Sequence, residues 1–260
     1  MTSGVLGGWY EREGRHDLPW RRTRDRWAVL VSEVMLQQTQ VGRVLVAWPR
    51  FIATFPNPEA TASAGPGAVI AAWDRLGYPR RARRLWEAAS TIAAHGWPAD
   101  LTDLPGVGRY TAGAVRSLAD DVDVPAIEVN VRRVVERVAG RRLSPTEAEA
   151  ESVRLGRGLE PRDRLLALMD VGALLCRPRV PACTGCPLRR RCSTRGPLDD
   201  ETRHRQAAFA GSFRQRRGRV MARLRSEPSV ALGQLDAEAL TSLVADGLAV
   251  VVDGTAALPT

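Results

Sequence analysis

The sequence predicts an all-α chain with a small mixed module at its C-terminus, on three observations. Apolar residues recur at helical spacing through roughly the first 195 positions, and alternating strand patterns are almost absent before residue 210. Beyond a polar, irregular stretch at 196–212, the pattern changes to two short helices and a hairpin.

Taken in order, Trp27-Ala-Val-Leu-Val-Ser-Glu-Val-Met-Leu36 is apolar nearly all round, which predicts a buried helix. Shorter helices are expected at 41–55, 67–76, 81–95, 110–118 and 131–138, separated by breaks such as Gly65-Pro66-Gly67 and Leu104-Pro105-Gly106. The 196–212 stretch reads as a linker. A basic helix at 213–226 and a second helix at 235–247 follow it, and then two apolar runs flank Asp253-Gly254, a pair that accepts positive φ at both turn positions. Helix, helix and hairpin over 213–260 resemble a winged-helix module; a helical tail with a packed β-ribbon fits the same pattern.

Composition narrows the chemistry. The 260 residues contain 38 Lys+Arg and 29 Asp+Glu, a formal net charge of +9, and every one of the 38 basic residues is arginine. Without lysine no ε-amine can form a Schiff base, so a lyase of that kind would have only the terminal amine. A hydrophobic fraction of 44% with 26% charged suits a chain that buries a core. No apolar run approaches the roughly 18 residues that span a bilayer, and no secretory leader is visible, so a cytoplasmic protein is expected; separately, it is expected to be a monomer. The basic excess calls for a polyanionic partner, and arginine suits phosphate because its planar fork binds it bidentately.

Four cysteines, Cys176, Cys183, Cys186 and Cys192, form a C-x6-C-x2-C-x5-C cluster within 17 residues. In a reducing compartment they read as metal ligands, and ligand type alone leaves zinc and an iron–sulfur cluster both open. Arg177, Arg179, Arg189, Arg190 and Arg191 surround them. Upstream, Leu104-Pro-Gly-Val-Gly-Arg-Tyr-Thr-Ala112 places Gly106, Val107, Gly108 and Arg109 at a turn opening into a helix, where backbone N–H groups and the helix dipole favour a phosphate. Glu33 lies inside the most apolar helix, as either a structural carboxylate with a hidden partner or a functional acid.

These pieces together resemble a known family. The cysteine spacing resembles the [4Fe-4S] loop of the endonuclease III superfamily, and the glycine turn resembles the hairpin of helix-hairpin-helix DNA-binding proteins. Ser32-Glu-Val-Met-Leu-Gln-Gln-Thr-Gln-Val41, with Leu18-Pro-Trp-Arg21 and Leu76-Gly-Tyr78, is similar to the MutY-type adenine DNA glycosylases. The resemblance covers about residues 15–195. It implies a helix-hairpin-helix glycosylase domain over 1–195, with a six-helix barrel at about 22–130 and an iron–sulfur domain made by the N-terminal segment and 131–195. The roughly 48 residues after the linker are too few for the nudix-like domain most of these enzymes carry.

The same resemblance implies base-excision repair on double-stranded DNA with a flipped base, at the nucleoid, removing adenine opposite 8-oxoguanine or guanine. Glycoside cleavage needs an acid for the leaving group and a negative group beside the oxocarbenium ion. Glu33 is the implied acid and Glu128 the implied second carboxylate, with Asn130 as the helix cap. Here the chain departs from the family, which has aspartate at the Glu128 position and a small or polar residue at that of Val129; one added methylene can misplace the charge. Asp120, Asp121 and Asp123 read as a solvated loop. Tyr110 stands where the bifunctional lyases keep their Schiff-base lysine and implies a monofunctional enzyme. Gln38 is the implied wedge with Tyr78 supporting the lesion side, Leu36 and Thr39 lie near the opposite base, and Trp20, Arg21 and Asp170 line the adenine pocket. Trp20 reads equally as core, and Asp170 as a helix-surface charge. Removal of thymine, uracil or another base by the same fold, and an inactive iron–sulfur DNA-binding protein, are the alternatives that position 128 leaves open.

Overall fold

A computed structural model describes residues 4–124, 126–199, 201 and 208–260. Of the expected linker, residues 200 and 202–207 lie outside the described residues. Twelve α-helices are present among the described residues: α1 Val5–Glu13, α2 Arg26–Leu36, α3 Val41–Thr54, α4 Pro58–Ser63, α5 Gly65–Ala72, α6 Arg80–His95, α7 Arg109–Asp120, α8 Val129–Ala139, α9 Pro145–Leu155, α10 Pro161–Asp170, α11 Phe213–Ser226 and α12 Ala237–Ala245. Among the described residues strands occur only after residue 229: β1 Val230–Ala231, β2 Val250–Val252 and β3 Thr255–Ala257. The described residues among the first 195 are therefore all-α, as expected.

The helices that periodicity missed are α1, α4, α9 and α10. Their hydrophobic faces are short or broken by charge; α4 and α9 are marked instead by side-chain N-caps, Asn57 and Ser144, whereas α1 and α10 have none. In α9, Ser144 accepts from the Glu147 N–H while the Glu147 carboxylate accepts from the Ser144 N–H, and Pro145 takes the first helical position. After α10 the helix widens into a π-turn at Val171–Leu175 that delivers Cys176.

The chain divides into two compact units. One comprises residues 1–29 and 108–203, and the other 30–107 and 204–260. In the first, the apolar face of α8 (Val131, Val134, Val135 and Val138) is buried, together with Leu165, Leu166 and Leu168 of α10. Asp120, Asp121 and Asp123 are not a free solvated loop: they pair with Arg26, Arg24 and Arg164, and Asp121 also accepts from the Arg162 N–H.

In the second unit the core is built from Val44, Phe51, Ile70, Trp73, Leu85 and Ile92. The C-terminal module belongs to this unit. Its sheet has the order β1-β3-β2, all antiparallel, with Val230 opposite Ala256 and Val251 opposite Ala256 on the other side. Asp253 (φ 46°) and Gly254 (φ 71°) make the expected hairpin turn. The sequence reading missed β1, which is only two residues long. Several arginines of the basic helix α11 are engaged internally: Arg216 pairs with Asp236 and Glu238, Arg217 with Asp246, and Arg223 with Glu227. Asp246 also pairs with Arg80 on α6, and its carbonyl accepts from Arg83 at 2.9 Å.

Candidate functional site

The residues singled out in the sequence fall into both units, and each half has its own geometry. Glu33 sits on α2, a helix whose neighbours Val31, Val34 and Met35 are all buried, and it is itself only 4% exposed. Asp25 starts that helix by accepting the Ala28 N–H at 2.7 Å. Immediately beyond α2 the chain enters a tight loop in which Gln38 is exposed and adopts φ 53°. Leu36 and Thr39 flank it, half-buried. A second non-glycine left-handed residue, Tyr78 (φ 48°), is 41% exposed and follows Gly77 (φ 80°). Such conformations cost on the order of 1–3 kcal/mol each and persist where surroundings enforce them.

The enforcing group is one the sequence reading overlooked. Arg81, in the first turn of α6, donates from Nη1 to the carbonyls of Val34 (2.8 Å), Met35 (3.1 Å) and Gln37 (2.5 Å). Its Nη2 donates to Thr39 Oγ1 (3.0 Å) and to the carbonyls of Leu76 (3.4 Å) and Gly77 (3.1 Å). Burial lowers its pKa to about 10, still well above neutrality. In the sequence Arg81 is one of four arginines in Pro79-Arg-Arg-Ala-Arg-Arg84, with nothing to distinguish it.

The glycine turn has the close packing that its residues require. Gly106 adopts φ 77°, and a Cβ there would come within 2.7 Å of the Arg84 Cβ. Val107 N–H closes the turn onto the Leu104 carbonyl at 3.1 Å. Gly108 then caps α7 in an extended conformation, leaving exposed Arg109 and half-buried Tyr110 as its first residues.

Glu128, not Asn130, caps α8, which corrects the sequence expectation. Its Oε1 accepts from the Val131 N–H at 2.9 Å and its Oε2 from Asn130 Nδ2 at 2.9 Å. The carboxylate folds back over the first turn, so both oxygens are held by its own helix. Burial pushes the Glu128 pKa up; the Asn130 and Val131 bonds and the Arg133 charge oppose this without reversing it. Asn130 in turn accepts from Arg133 Nη2 at 2.6 Å, and Arg133 also donates to the carbonyls of Gly172 (2.8 Å) and Cys176 (2.6 Å). Gly172 must be small here, since a Cβ would lie 2.6 Å from the Asn130 Cβ.

Asp170 is fully buried, which overturns its reading as a helix-surface charge. It accepts a bidentate pair from Arg21 and further bonds from the Arg15 side chain and N–H. Burial alone would raise its pKa, but the Arg21 bonds and the charges of Arg21 and Arg15 outweigh it and hold the carboxyl below its ordinary value. Trp20 is core, 6% exposed.

All four cysteines line one cavity with apolar walls from Val134, Val138, Val171 and Leu188. Arg137 Nη1 donates to Cys176 Sγ at 3.5 Å and the Arg195 N–H to Cys192 Sγ at 3.4 Å. Arg137 is buried against the loop and bound by Glu201 at 2.5 and 2.7 Å. Among the described residues no group of three or more His, Cys, Asp or Glu is gathered to hold a single metal ion. Four soft sulfurs spread around an apolar cavity, with N–H donors on two of them, fit a group larger than one ion. Arg177, Arg179, Arg189, Arg190 and Arg191 are all exposed around this loop.

Residues 31–157 match the HhH-GPD superfamily of base excision DNA repair proteins. An adenine DNA glycosylase of Mycobacterium tuberculosis is 42% identical over 98% of this chain and 92% of its own length. The chain belongs to the adenine DNA glycosylase family. The human adenine DNA glycosylase is 36% identical over 80% of this chain and 42% of its own. Among solved structures, a thermostable thymine-DNA glycosylase superposes with a TM-score of 0.66 at 28% identity, covering 74% of this chain and 93% of that one. A trapped endonuclease III–DNA complex superposes at 0.61 and 22% identity, which shares the fold. The all-α helix-hairpin-helix fold expected of an adenine DNA glycosylase family member is thus the fold of this chain.

Proposed function

We propose that the protein is a monofunctional DNA glycosylase that hydrolyses the N-glycosidic bond of adenine mispaired with 8-oxoguanine or guanine in duplex DNA. The observation that carries this is Glu33, a carboxyl group buried on an apolar helix that ends at Gln37-Gln38-Thr39, in a chain 42% identical to an adenine DNA glycosylase. Glu33 is the acid that donates a proton to the adenine ring. Adenine then leaves as the neutral base, and a water oxygen adds at C1′ with loss of a proton. Glu128 supplies the negative charge that the developing oxocarbenium ion requires. Tyr110 borders the base, and Arg21, tied to Asp170, with Trp20 supports the pocket wall.

On the DNA, Gln38 and Tyr78 enter the duplex and Leu36 and Thr39 lie near the opposite base, filling the space of a flipped nucleotide. The hairpin Gly106-Val107-Gly108 with Arg109 binds backbone phosphate. Cys176, Cys183, Cys186 and Cys192 would hold a [4Fe-4S] cluster, which stiffens an arginine-lined loop against phosphates. A lysine-based lyase step is not open to this chain, which has no lysine and carries Tyr110 at the hairpin, so only the terminal amine could form a Schiff base. We read the 213–260 module as winged-helix-like and the protein as a monomer acting at the nucleoid.

Single-turnover cleavage of duplexes with A opposite 8-oxoguanine, A opposite G, T opposite G and U opposite G tests the assignment, with Glu33→Gln as the control. Adenine release that disappears in Glu33→Gln is expected. Release of thymine or uracil but not adenine would move the chain to the activity named for its thymine-DNA glycosylase structural relative. Borohydride trapping should yield no adduct beyond one at the terminal amine.

A further inference from the structure

The strongest unassigned feature is the guanidinium of Arg81, to which two short loops bind in common. Every carbonyl near the end of an α-helix lacks an intrahelical donor. Here Arg81 supplies donors to Val34, Met35 and Gln37 at the end of α2, and through its other nitrogen to Thr39, Leu76 and Gly77. The rings of Trp73 and Tyr78 each lie 5.4 Å from its central carbon, and Trp73 donates to the same Gly77 carbonyl at 3.0 Å. Its Nε, buried, has no partner, so the group is held by its two terminal nitrogens alone. Each of the two loops contains exposed non-glycine backbone at positive φ, at Gln38 in one and at Asp74 and Tyr78 in the other.

We infer that Arg81 is a positioning residue that sets the conformations of Gln38 and Tyr78 together, so that both side chains are preorganised to enter the duplex. The inference rests on the proposed role of those two side chains. Only a planar fork with two separately directed nitrogens reaches both sets of acceptors; a lysine would carry the charge but satisfy one loop. With six bonds to backbone and Thr39, Arg81 fixes the two loops relative to each other before DNA arrives, which avoids ordering them on binding.

The test is a double-mutant cycle on binding to a duplex carrying uncleavable 2′-fluoro-2′-deoxyadenosine opposite 8-oxoguanine, at fixed salt, with melting of the free proteins measured alongside. Gln38→Ala, Tyr78→Ala, Arg81→Lys and Arg81→Met are compared, with each Arg81 change also combined with Gln38→Ala. Arg81→Lys retains charge and stem, so it reports even where Arg81→Met folds poorly. Each Arg81 change is expected to weaken binding on the order of tenfold, and adding Gln38→Ala to it should weaken binding little further, because the side chain is already misplaced. Native affinity in the Arg81 variants while Gln38→Ala and Tyr78→Ala bind weakly would overturn the inference alone, as would losses that multiply in full. Native affinity in Gln38→Ala and Tyr78→Ala themselves would instead overturn the reading on which it rests.

Discussion

Arg21 grips Asp170 with both terminal nitrogens, Nη1 to Oδ2 at 2.7 Å and Nη2 to Oδ1 at 2.8 Å, across 149 residues of sequence. Arg15 adds two further bonds to the same carboxylate. Removing one member of such a buried set strands the others without a counter-charge. Asp170→Asn should therefore destabilise the protein by about 3–5 kcal/mol, read as a lowered urea midpoint. Its folded pKa lies below the ordinary value, so its stabilisation is present above the unfolded carboxylate pKa of about 3.9 and is lost as pH falls through the folded value. Acid titration of the wild type should show that loss, and the Asn variant should lack it.

Position 128 separates charge from capping. Glu128→Gln keeps an oxygen for the Val131 N–H and should melt near the wild-type temperature, yet slow single-turnover cleavage on the order of a hundredfold because the charge is gone. Glu128→Ala loses the cap as well and should cost about 1 kcal/mol in addition. Because burial raises the Glu128 pKa and the anion is the active form, the acid limb of kcat should lie above the unperturbed glutamate value of about 4.3 and vanish in Glu128→Gln. For stability the sign is opposite to Asp170: the contribution is fully present below about 4.3 and lost as pH rises through the folded value. Glu128→Asp, the shorter acid, caps equally well and should raise the rate if the folded-back carboxylate of Glu128 is a handicap.

If the four cysteines hold the proposed [4Fe-4S] cluster, its oxidative removal should expose the cysteine loop. Trypsin is expected to cut after Arg177, Arg179 or Arg189–Arg191, which are already exposed, far faster in the iron-free protein than in the holoprotein. Arg137→Met should produce a similar sensitivity with iron present, since Arg137 ties the carbonyls of Arg177 (2.9 Å) and Pro178 (2.9 Å) to Glu201. Unchanged cleavage patterns in both would show that the loop does not depend on either.

Gly247 tests how firmly the C-terminal module is seated. It adopts φ 63°, and a Cβ would fall 0.9 Å from Arg83 Nη1. Gly247→Ala should displace Arg83 from the Asp246 carbonyl and destabilise this unit by roughly 1–3 kcal/mol, visible as earlier proteolysis of residues 208–260. Gly233→Ala, where a Cβ meets open space, should have no such effect.

What the sequence by itself determined is local. The buried helix around Glu33, the Gly106–Gly108 turn, the Asp253-Gly254 hairpin and the cysteine cluster are each written in adjacent residues, because period, positive φ and ligand spacing are short-range properties. The family resemblance was legible for the same reason: it lies in contiguous motifs. The tertiary structure decided which of many arginines matter. Arg81, Arg133 and Arg137 are not distinguishable by sequence among 38 arginines, and their selection follows from carbonyls and carboxylates brought to them by the fold. The same long-range pairing made Asp170 a buried anchor and not a helix-surface charge, whereas the cap at Glu128 and not Asn130 is a local choice that the sequence left open. A charged side chain's role is set by the partners that remain once water is excluded, and those partners are assembled only by the fold.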